Sequence, residues 1–180
     1  MKKIVIITAT LLALVACEKE EHYYIPKNRK PVIQNGDIVY FVNHQNNTLV
    51  DTFVVQRKDY DDYESWDKKP HYFEQVDLEY IKENTSSPYT LFYGLSAWRG
   101  ENDFSSTTGE YVALITEESR TSYTINPDKT EITINGTTYS VFVANSVSPS
   151  PEFPNRVYYS YTKGILRYDY SDTNYYEIKK

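Results

Sequence analysis

The chain has 180 residues, with 19 Lys and Arg, 25 Asp and Glu, and a formal net charge of −6. An acidic surface repels nucleic acid and anionic lipid headgroups, so we expect no binding to nucleic acid. Only one cysteine occurs, which excludes a disulfide within a single chain.

The first residues have the layout of a bacterial lipoprotein signal. Lys2 and Lys3 precede an apolar stretch, residues 4–16, that ends directly before Cys17. This stretch is shorter than the roughly 20 apolar residues that a membrane-spanning helix needs. The four residues that end at Cys17 resemble a lipobox, which implies a signal peptide over 1–16 and acylation of the cysteine, with palmitate among its lipids. A free cysteine after an ordinary cleaved leader is the alternative.

An acidic run follows the cysteine directly. Lys19, Glu20 and Glu21 resemble the Lys-(Asp/Glu)-(Asp/Glu) export signal of Bacteroidetes-type lipoproteins, which implies a place on the cell surface. A solvated spacer is the simpler interpretation of such a run. The inner leaflet of the outer membrane is the second location, and Glu18 is compatible with retention at the inner membrane.

The rest of the chain has the size of one domain and the composition of a β protein. Removing residues 1–16 leaves 164 residues, and without Lys2 and Lys3 the 19 basic residues become 17 against 25 acidic ones, a charge of −8. Tyrosine occurs 19 times and favours strands. We predict a lipidated tether over 17–35 and a single β domain over 36–180.

The first half of the domain contains two candidate hairpin strands and an irregular segment. Ile38–Val42 and Leu49–Arg57 flank a polar turn at 43–47. Both runs are apolar on both faces, which predicts central strands covered twice. The acidic and aromatic stretch Asp59–Lys69 has no clean period and predicts a loop or a short helix. Residues 72–83 alternate as a strand does.

The second half of the domain contains further candidate strands. We predict a strand over Tyr89–Trp98, and for Glu110–Ser119 we favour a strand over a helix. Asn135-Gly136 predicts a two-residue hairpin turn. The prolines of Ser146–Asn155 predict an irregular crossover, and three more strands follow between residues 156 and 179.

About nine or ten strands in sequential hairpins predict an all-β antiparallel meander that forms a sandwich or a strongly curved, partly closed barrel. The opening Gly36–Tyr40, the strand Asp51–Val55 and the closing Tyr158–Tyr168 with Glu177-Ile178 resemble small Bacteroidetes-type outer-membrane or surface lipoproteins of unknown function. The resemblance spans most of residues 36–179. It implies the fold and the location and carries no known chemistry.

Catalytic and metal-binding motifs are not visible in the sequence. His22, His44 and His71 have no second histidine or cysteine at ligand spacing, so we expect no zinc site. No Gly-x-Ser-x-Gly elbow and no glycine-rich phosphate loop occur. We therefore expect a protein that is not an enzyme and uses no cofactor.

Aromatic residues flanked by carboxylates are the one candidate binding feature. Tyr60, Tyr63, Trp66 and Trp98 could together form a platform for a sugar ring. Packing at the rim of the domain and cross-strand tyrosine pairs are the alternative.

These observations favour a lipid-anchored outer-membrane protein at the cell surface, with a non-enzymatic β domain that binds a ligand or a partner. Besides the membrane, held through Cys17, we expect a glycan, an apolar ligand or an outer-membrane protein as partner. Two other functions remain open. One is a periplasmic half-barrel that handles lipids or lipoproteins, and the other is a structural accessory subunit of an outer-membrane assembly.

Overall fold

The computed structural model describes residues 20–66, 69–82, 88–99, 106–116 and 119–179. This part of the chain is all-β, as predicted, and contains no helix. Its eleven strands are β1 (Glu21–Tyr23), β2 (Ile38–Asn43), β3 (Val50–Trp66), β4 (Lys69–Lys82), β5 (Thr90–Arg99), β6 (Ser106–Ile115), β7 (Arg120–Ile134), β8 (Thr137–Ser146), β9 (Arg156–Ser160), β10 (Gly164–Asp169) and β11 (Tyr175–Ile178).

All the strands belong to one sheet that closes on itself. Ten strands follow the order β4-β3-β2-β11-β10-β9-β8-β7-β6-β5, and β5 pairs again with β4. These ladders are antiparallel, whereas β1 adds to β4 in parallel, so the sheet is mixed. The result is ring-like without being a regular barrel, and of the two predicted architectures it is nearer to the strongly curved, partly closed barrel than to the sandwich.

The interior of the ring is filled with large side chains. Alternation along each strand sends every second residue inward, because successive side chains of a strand point to opposite faces. Four tyrosines with 2 % exposure or less are among the largest of these inward residues: Tyr80, Tyr93, Tyr159 and Tyr168. Aromatic rings therefore occupy the volume that a carrier would need for a ligand.

The expectation that β2 and β3 are covered on both faces is wrong. Val39, Phe41 and Phe53 are buried inside the ring, but Ile38 and Tyr40 are 54 % and 45 % exposed. No other described segment covers this apolar outer face of β2, although two-sided apolarity usually indicates a second layer.

The loop or short helix predicted over Asp59–Lys69 is also wrong. β3 continues to Trp66, and its ladder with β4 runs unbroken from Phe53 to Trp66. In this outer part of the hairpin Asp59–Ser65 are exposed, so polar and aromatic residues stand on both faces and no apolar period marks the strand.

Other local predictions are confirmed. Residues 110–115 are strand and belong to β6. The β7–β8 turn has φ of 48° at Asn135 and 76° at Gly136, as a type I′ turn requires. The proline-rich segment 147–155 connects β8 to β9 without a strand.

The β7–β8 hairpin folds back over the outside of the ring. Its ladder is irregular between Asn126 and Thr130, and beyond this point Ile134 and Val141 pack on Tyr158 and Leu166. A β-irregularity of this kind bends a strand pair. The tip of the hairpin thereby reaches β11, which is three strands away in the ring.

Residues 21–36, most of which were assigned to the tether, pack on the domain in the structure. Ile25 is 2 % exposed, and its backbone N–H donates to Glu74 Oε2 at 2.9 Å. Arg57 Nη1 donates to the carbonyls of Pro31 and Ile33 at 2.7 and 2.8 Å. The segment thus crosses from β4 to β2 in contact with the ring.

No helix within the described residues is long and apolar enough to cross a membrane.

Candidate functional site

A polar groove of about 380 Å³ lies on the outside of the ring, between β2, β11 and the tip of the β7–β8 hairpin. Ligand pockets for small molecules begin at about 300 Å³. The groove is lined by Val42, Asn43, His44, Asn47, Asn135, Glu177, Ile178 and Lys179. Three separate parts of the chain therefore supply its walls.

The first wall is the turn between β2 and β3, which Asn43 holds in place. Its Oδ1 accepts hydrogen bonds from the backbone N–H groups of Gln45 and Asn46, both at 3.0 Å. Its Nδ2 donates to Asn174 Oδ1 at 2.8 Å. Asn43 is 4 % exposed, so its amide is a structural anchor and His44 and Asn47 provide the accessible polar groups.

His44 is further fixed by an aromatic stack beside the groove. Its ring lies parallel to that of Tyr175, with centroids 4.3 Å apart. The Arg167 guanidinium covers the same tyrosine at 3.6 Å, a close cation–π contact. The imidazole therefore packs on Tyr175 while the residue stays exposed beside the groove.

The second wall is the tip of the β7–β8 hairpin. The positive φ of Asn135 and Gly136 makes the tight turn, and Asn135 Nδ2 donates to the carbonyl of Ile178 at 3.3 Å. Packing of Ile134 under the hairpin keeps this amide over β11. The local sequence gives the turn, whereas the position over β11 comes from the bend at 126–130.

The third wall carries the charged groups. Burial raises the pKa of Glu177, and the neighbouring Arg167 and His44 act in the opposite direction. Arg167 Nη1 lies 3.7 Å from Glu177 Oε1 and also donates from Nε to Asp169 Oδ1 at 2.7 Å. Asp169 is 1 % exposed and accepts from Tyr158 Oη at 3.1 Å. This buried network holds Glu177 against the groove.

Two of the four aromatic residues singled out in the sequence, Tyr60 and Tyr63, are not brought together on one face. Tyr60 and Tyr63 are three residues apart on an unbroken strand and so lie on opposite faces of β3. Tyr60 Oη lies 2.9 Å from Gln75 Oε1 and 3.0 Å from Asp77 Oδ2. Tyr63 packs on Tyr72, with ring centroids 5.5 Å apart.

The remaining residues singled out in the sequence are only partly described. Trp66 is the last residue of β3 and Trp98 lies in β5, and their side chains are outside the described part of the structure, as are Cys17 and Lys19 altogether. Glu20 is exposed. Glu21 begins β1, and its Oε2 lies 3.4 Å from His71 Nδ1.

The groove contains both hydrogen-bond donors and hydrogen-bond acceptors. Each amide provides donors and an acceptor, the carboxylate accepts, and the ammonium of Lys179 donates. Within the described ranges no three His, Cys, Asp or Glu side chains converge in a way that could hold a metal ion. Such a surface suits recognition of a polar molecule through hydrogen bonds.

Comparison with protein-family models, curated proteins and solved structures gave no match to this chain.

Proposed function

We propose that this chain is a lipid-anchored outer-membrane protein at the cell surface whose β domain binds an extracellular ligand in the polar groove without transforming it. The observation that carries the proposal is the position of the groove relative to the N-terminal strand. The groove lies at the end of the ring opposite the point where the chain enters the domain.

The ladder registers give the size of this separation. Glu21 pairs with His71, which pairs with Glu64 near the outer end of β3, and the groove adjoins Val50 at the other end. Fourteen residues of strand separate Glu64 from Val50, a path of about 46 Å at 3.3 Å per residue. Cys17 precedes Glu20 by three residues, or at most about 11 Å. An anchor at Cys17 would therefore hold the end of the β3–β4 ladder at Trp66 and Lys69 near the membrane, with the groove pointing away from it.

The asparagine side chains of the lining support the binding part of the proposal. Amides such as Asn47 and Asn135 exchange no protons near neutral pH, so they hold a ligand without acting as acid or base. Val42 and Ile178 add apolar surface between these polar groups. A few placed polar groups on a partly apolar floor are typical of ligand sites.

The two other functions have unequal support. A carrier needs an apolar interior, and here Tyr93, Tyr159 and Tyr168 fill the ring. An accessory subunit needs an exposed apolar contact surface, and the outer face of β2 offers Ile38 and Tyr40. The accessory role is thus the second candidate, and cross-linking at Ile38 to an outer-membrane protein in intact cells would favour it.

Protease treatment of intact cells tests the proposed location. We expect the lipoprotein to be degraded in intact cells, and we expect replacement of Lys19, Glu20 and Glu21 by alanine to protect it until lysis. A matched control replaces Asp128, Lys129 and Glu131, which are equally charged and exposed on β7. Survival of the unaltered protein in intact cells would overturn the surface location.

A further inference from the structure

We propose that the groove recognises a neutral saccharide chain, with one sugar unit in the groove and the next stacked on Tyr40. This inference rests on the proposed function, since it names the ligand class of the same site. It assigns a binding role to Tyr40, which no sequence motif indicates.

The balance of charge in the groove favours a neutral ligand. Glu177 and Lys179 contribute opposite charges, and the accessible polar groups beside them are the amides of Asn47 and Asn135 and the imidazole of His44. An anionic ligand would meet the Glu177 carboxylate and a strongly acidic protein, whereas a cationic ligand would meet Lys179. A neutral ligand avoids both penalties.

The pattern of donors and acceptors favours hydroxyl groups. A hydroxyl donates one hydrogen bond and accepts others, and an asparagine amide does the same with its two ends. Asn47 and Asn135 stand on different walls of the groove and can therefore address hydroxyls on two sides of one ring. A site built to bond hydroxyls rejects molecules that lack them, because its polar groups would be left unpaired.

The apolar part of the site matches the C–H face of a sugar. Val42 and Ile178 are both part of the lining. Tyr40 lies two residues before Val42 and hence on the same outer face of β2. Its carbonyl accepts a hydrogen bond from Lys179 N at 2.7 Å, which joins this stretch of β2 directly to the groove wall.

Tyr40 is exposed in a way that suits stacking. Its side chain is 45 % exposed, and the neighbouring outer-face residue Ile38 is 54 % exposed. An aromatic ring supplies a rigid apolar face at low entropic cost on binding. The groove, Tyr40 and Ile38 follow one another along β2 and so offer successive contacts to a chain of sugar units. We therefore expect oligosaccharides to bind more tightly than single sugars.

A titration of the full mature lipoprotein in non-glycosidic polyoxyethylene micelles tests the inference. The probes are neutral tetrasaccharides with α- or β-linked glucose, xylose or mannose, and inorganic phosphate and L-lysine serve as charged probes. Ligand-observed saturation-transfer NMR and calorimetry report binding. We expect at least one neutral tetrasaccharide to bind, at least tenfold more tightly than its monosaccharide, and neither charged probe to bind.

Matched variants test whether the ligand binds in the groove and on Tyr40. We expect Tyr40→Ala and Glu177→Gln each to weaken tetrasaccharide binding at least tenfold. Asn135→Asp keeps a residue suited to the type I′ turn but removes the amide donor, which also bonds the Ile178 carbonyl. We expect a similar loss of binding, and an unchanged unfolding midpoint separates it from a shift of the hairpin tip. Tyr60→Ala alters a tyrosine of nearly equal exposure on the neighbouring strand, and we expect a change of less than twofold.

The outcomes separate the inference from the function on which it rests. Binding of lysine that Glu177→Gln abolishes, or of phosphate that Lys179→Ala abolishes, would overturn the saccharide class and leave a ligand site in the groove. Binding of no probe would overturn the saccharide inference and remove the support for the groove as the ligand site. Loss of saccharide binding in Tyr60→Ala but not in Tyr40→Ala would overturn the site. Tyr40→Phe keeps the ring and should retain binding, which distinguishes stacking from loss of fold.

Discussion

Tyrosine hydroxyls in this molecule repeatedly end on carboxylates that belong to other strands. Tyr159 and Tyr161 both donate to Glu110 at 2.6 Å, and Tyr60 and Tyr111 both donate to Asp77 at 3.0 Å. A buried hydroxyl or carboxylate without a partner is costly. The Glu110 pairs satisfy tyrosines that pack on the interior of the ring of strands, whereas the Asp77 pairs lie on its outer face. Within the described residues the buried hydroxyl of Tyr93 has no hydrogen-bond partner.

Gly94 makes the contact between Tyr111 and Asp77 possible. Gly94 lies between Asp77 and Tyr111 across three neighbouring strands, and a Cβ at Gly94 would come within 2.1 Å of the Tyr111 ring. The Tyr111 ring can cross β5 to reach Asp77 because Gly94 has no side chain.

Replacement of this glycine should therefore be destabilising. We expect Gly94→Ala to lower the free energy of unfolding by about 1–3 kcal/mol, because the ring of Tyr111 must move from Asp77. Denaturant unfolding measures the change. The double variant with Tyr111→Ala should be no less stable than Tyr111→Ala alone. An additive loss in the double variant would show that the clash is not the cause.

Strands could be predicted from the sequence where one of their faces is apolar. The path that these strands take in three dimensions could not be predicted. The Asn135-Gly136 turn could be located from two residues, since few sequences adopt its φ angles. The fold-back of that hairpin depends on the irregularity at 126–130 and on contacts with Leu166, which is distant in sequence. The outer part of β3 was missed because solvent covers both of its faces and so no period appears.

The same limit applies to the candidate site. His44, Asn135 and Glu177 could each be seen in the sequence, as a turn residue, a hairpin residue and part of a closing strand. Their meeting requires β2 to pair with β11 and the β7–β8 hairpin to bend over three strands. No local pattern contains that information.

The fold-back hairpin should be held chiefly by its small apolar cluster. Ile134 is fully buried there, and we expect Ile134→Ala to cost about 2–5 kcal/mol through lost burial and a residual cavity. Val32→Ala removes apolar atoms at a site that is 58 % exposed and should change stability by less than about 0.5 kcal/mol. Equal unfolding midpoints for the two variants would contradict this role for the hairpin.

The tyrosines buried inside the ring of strands must stay neutral for the fold to be stable. Burial is the largest cause that raises the pKa of Tyr170 to about 12, and burial raises the pKa of Tyr159 and Tyr168 well above the ordinary value near 10. In the unfolded chain these groups ionise near pH 10, and in the fold only at higher pH.

The free energy of unfolding that these tyrosines contribute should therefore be fully present below pH 10. It should fall as the pH rises above 10, because the unfolded chain loses its phenolic protons at a lower pH than the folded chain does. A shift of two pKa units at Tyr170 alone corresponds to about 3 kcal/mol. We expect one cooperative alkaline transition above pH 10, in which tyrosinate absorbance from the buried residues and loss of β-sheet circular dichroism coincide. Ionisation of most tyrosines with the circular dichroism intact would contradict a tyrosine-filled interior.

The domain as a whole has two distinct ends. β1 and the end of the β3–β4 ladder at Trp66 and Lys69 lie where the chain enters the domain, and the groove lies at the other end. The exposed outer face of β2 leads from the groove toward the first end. This polarity is what a tethered domain needs if it is to present its ligand site away from its anchor.

The most direct measurement compares saccharide binding by two variants on intact cells. Cells that express the chain are incubated with the fluorescent form of the tetrasaccharide that binds the purified protein. The account predicts labelling of cells with the unaltered chain and with Tyr60→Ala, and at least tenfold less labelling with Tyr40→Ala at equal surface amounts. Equal labelling of Tyr40→Ala and Tyr60→Ala cells would contradict the groove and Tyr40 as the ligand site.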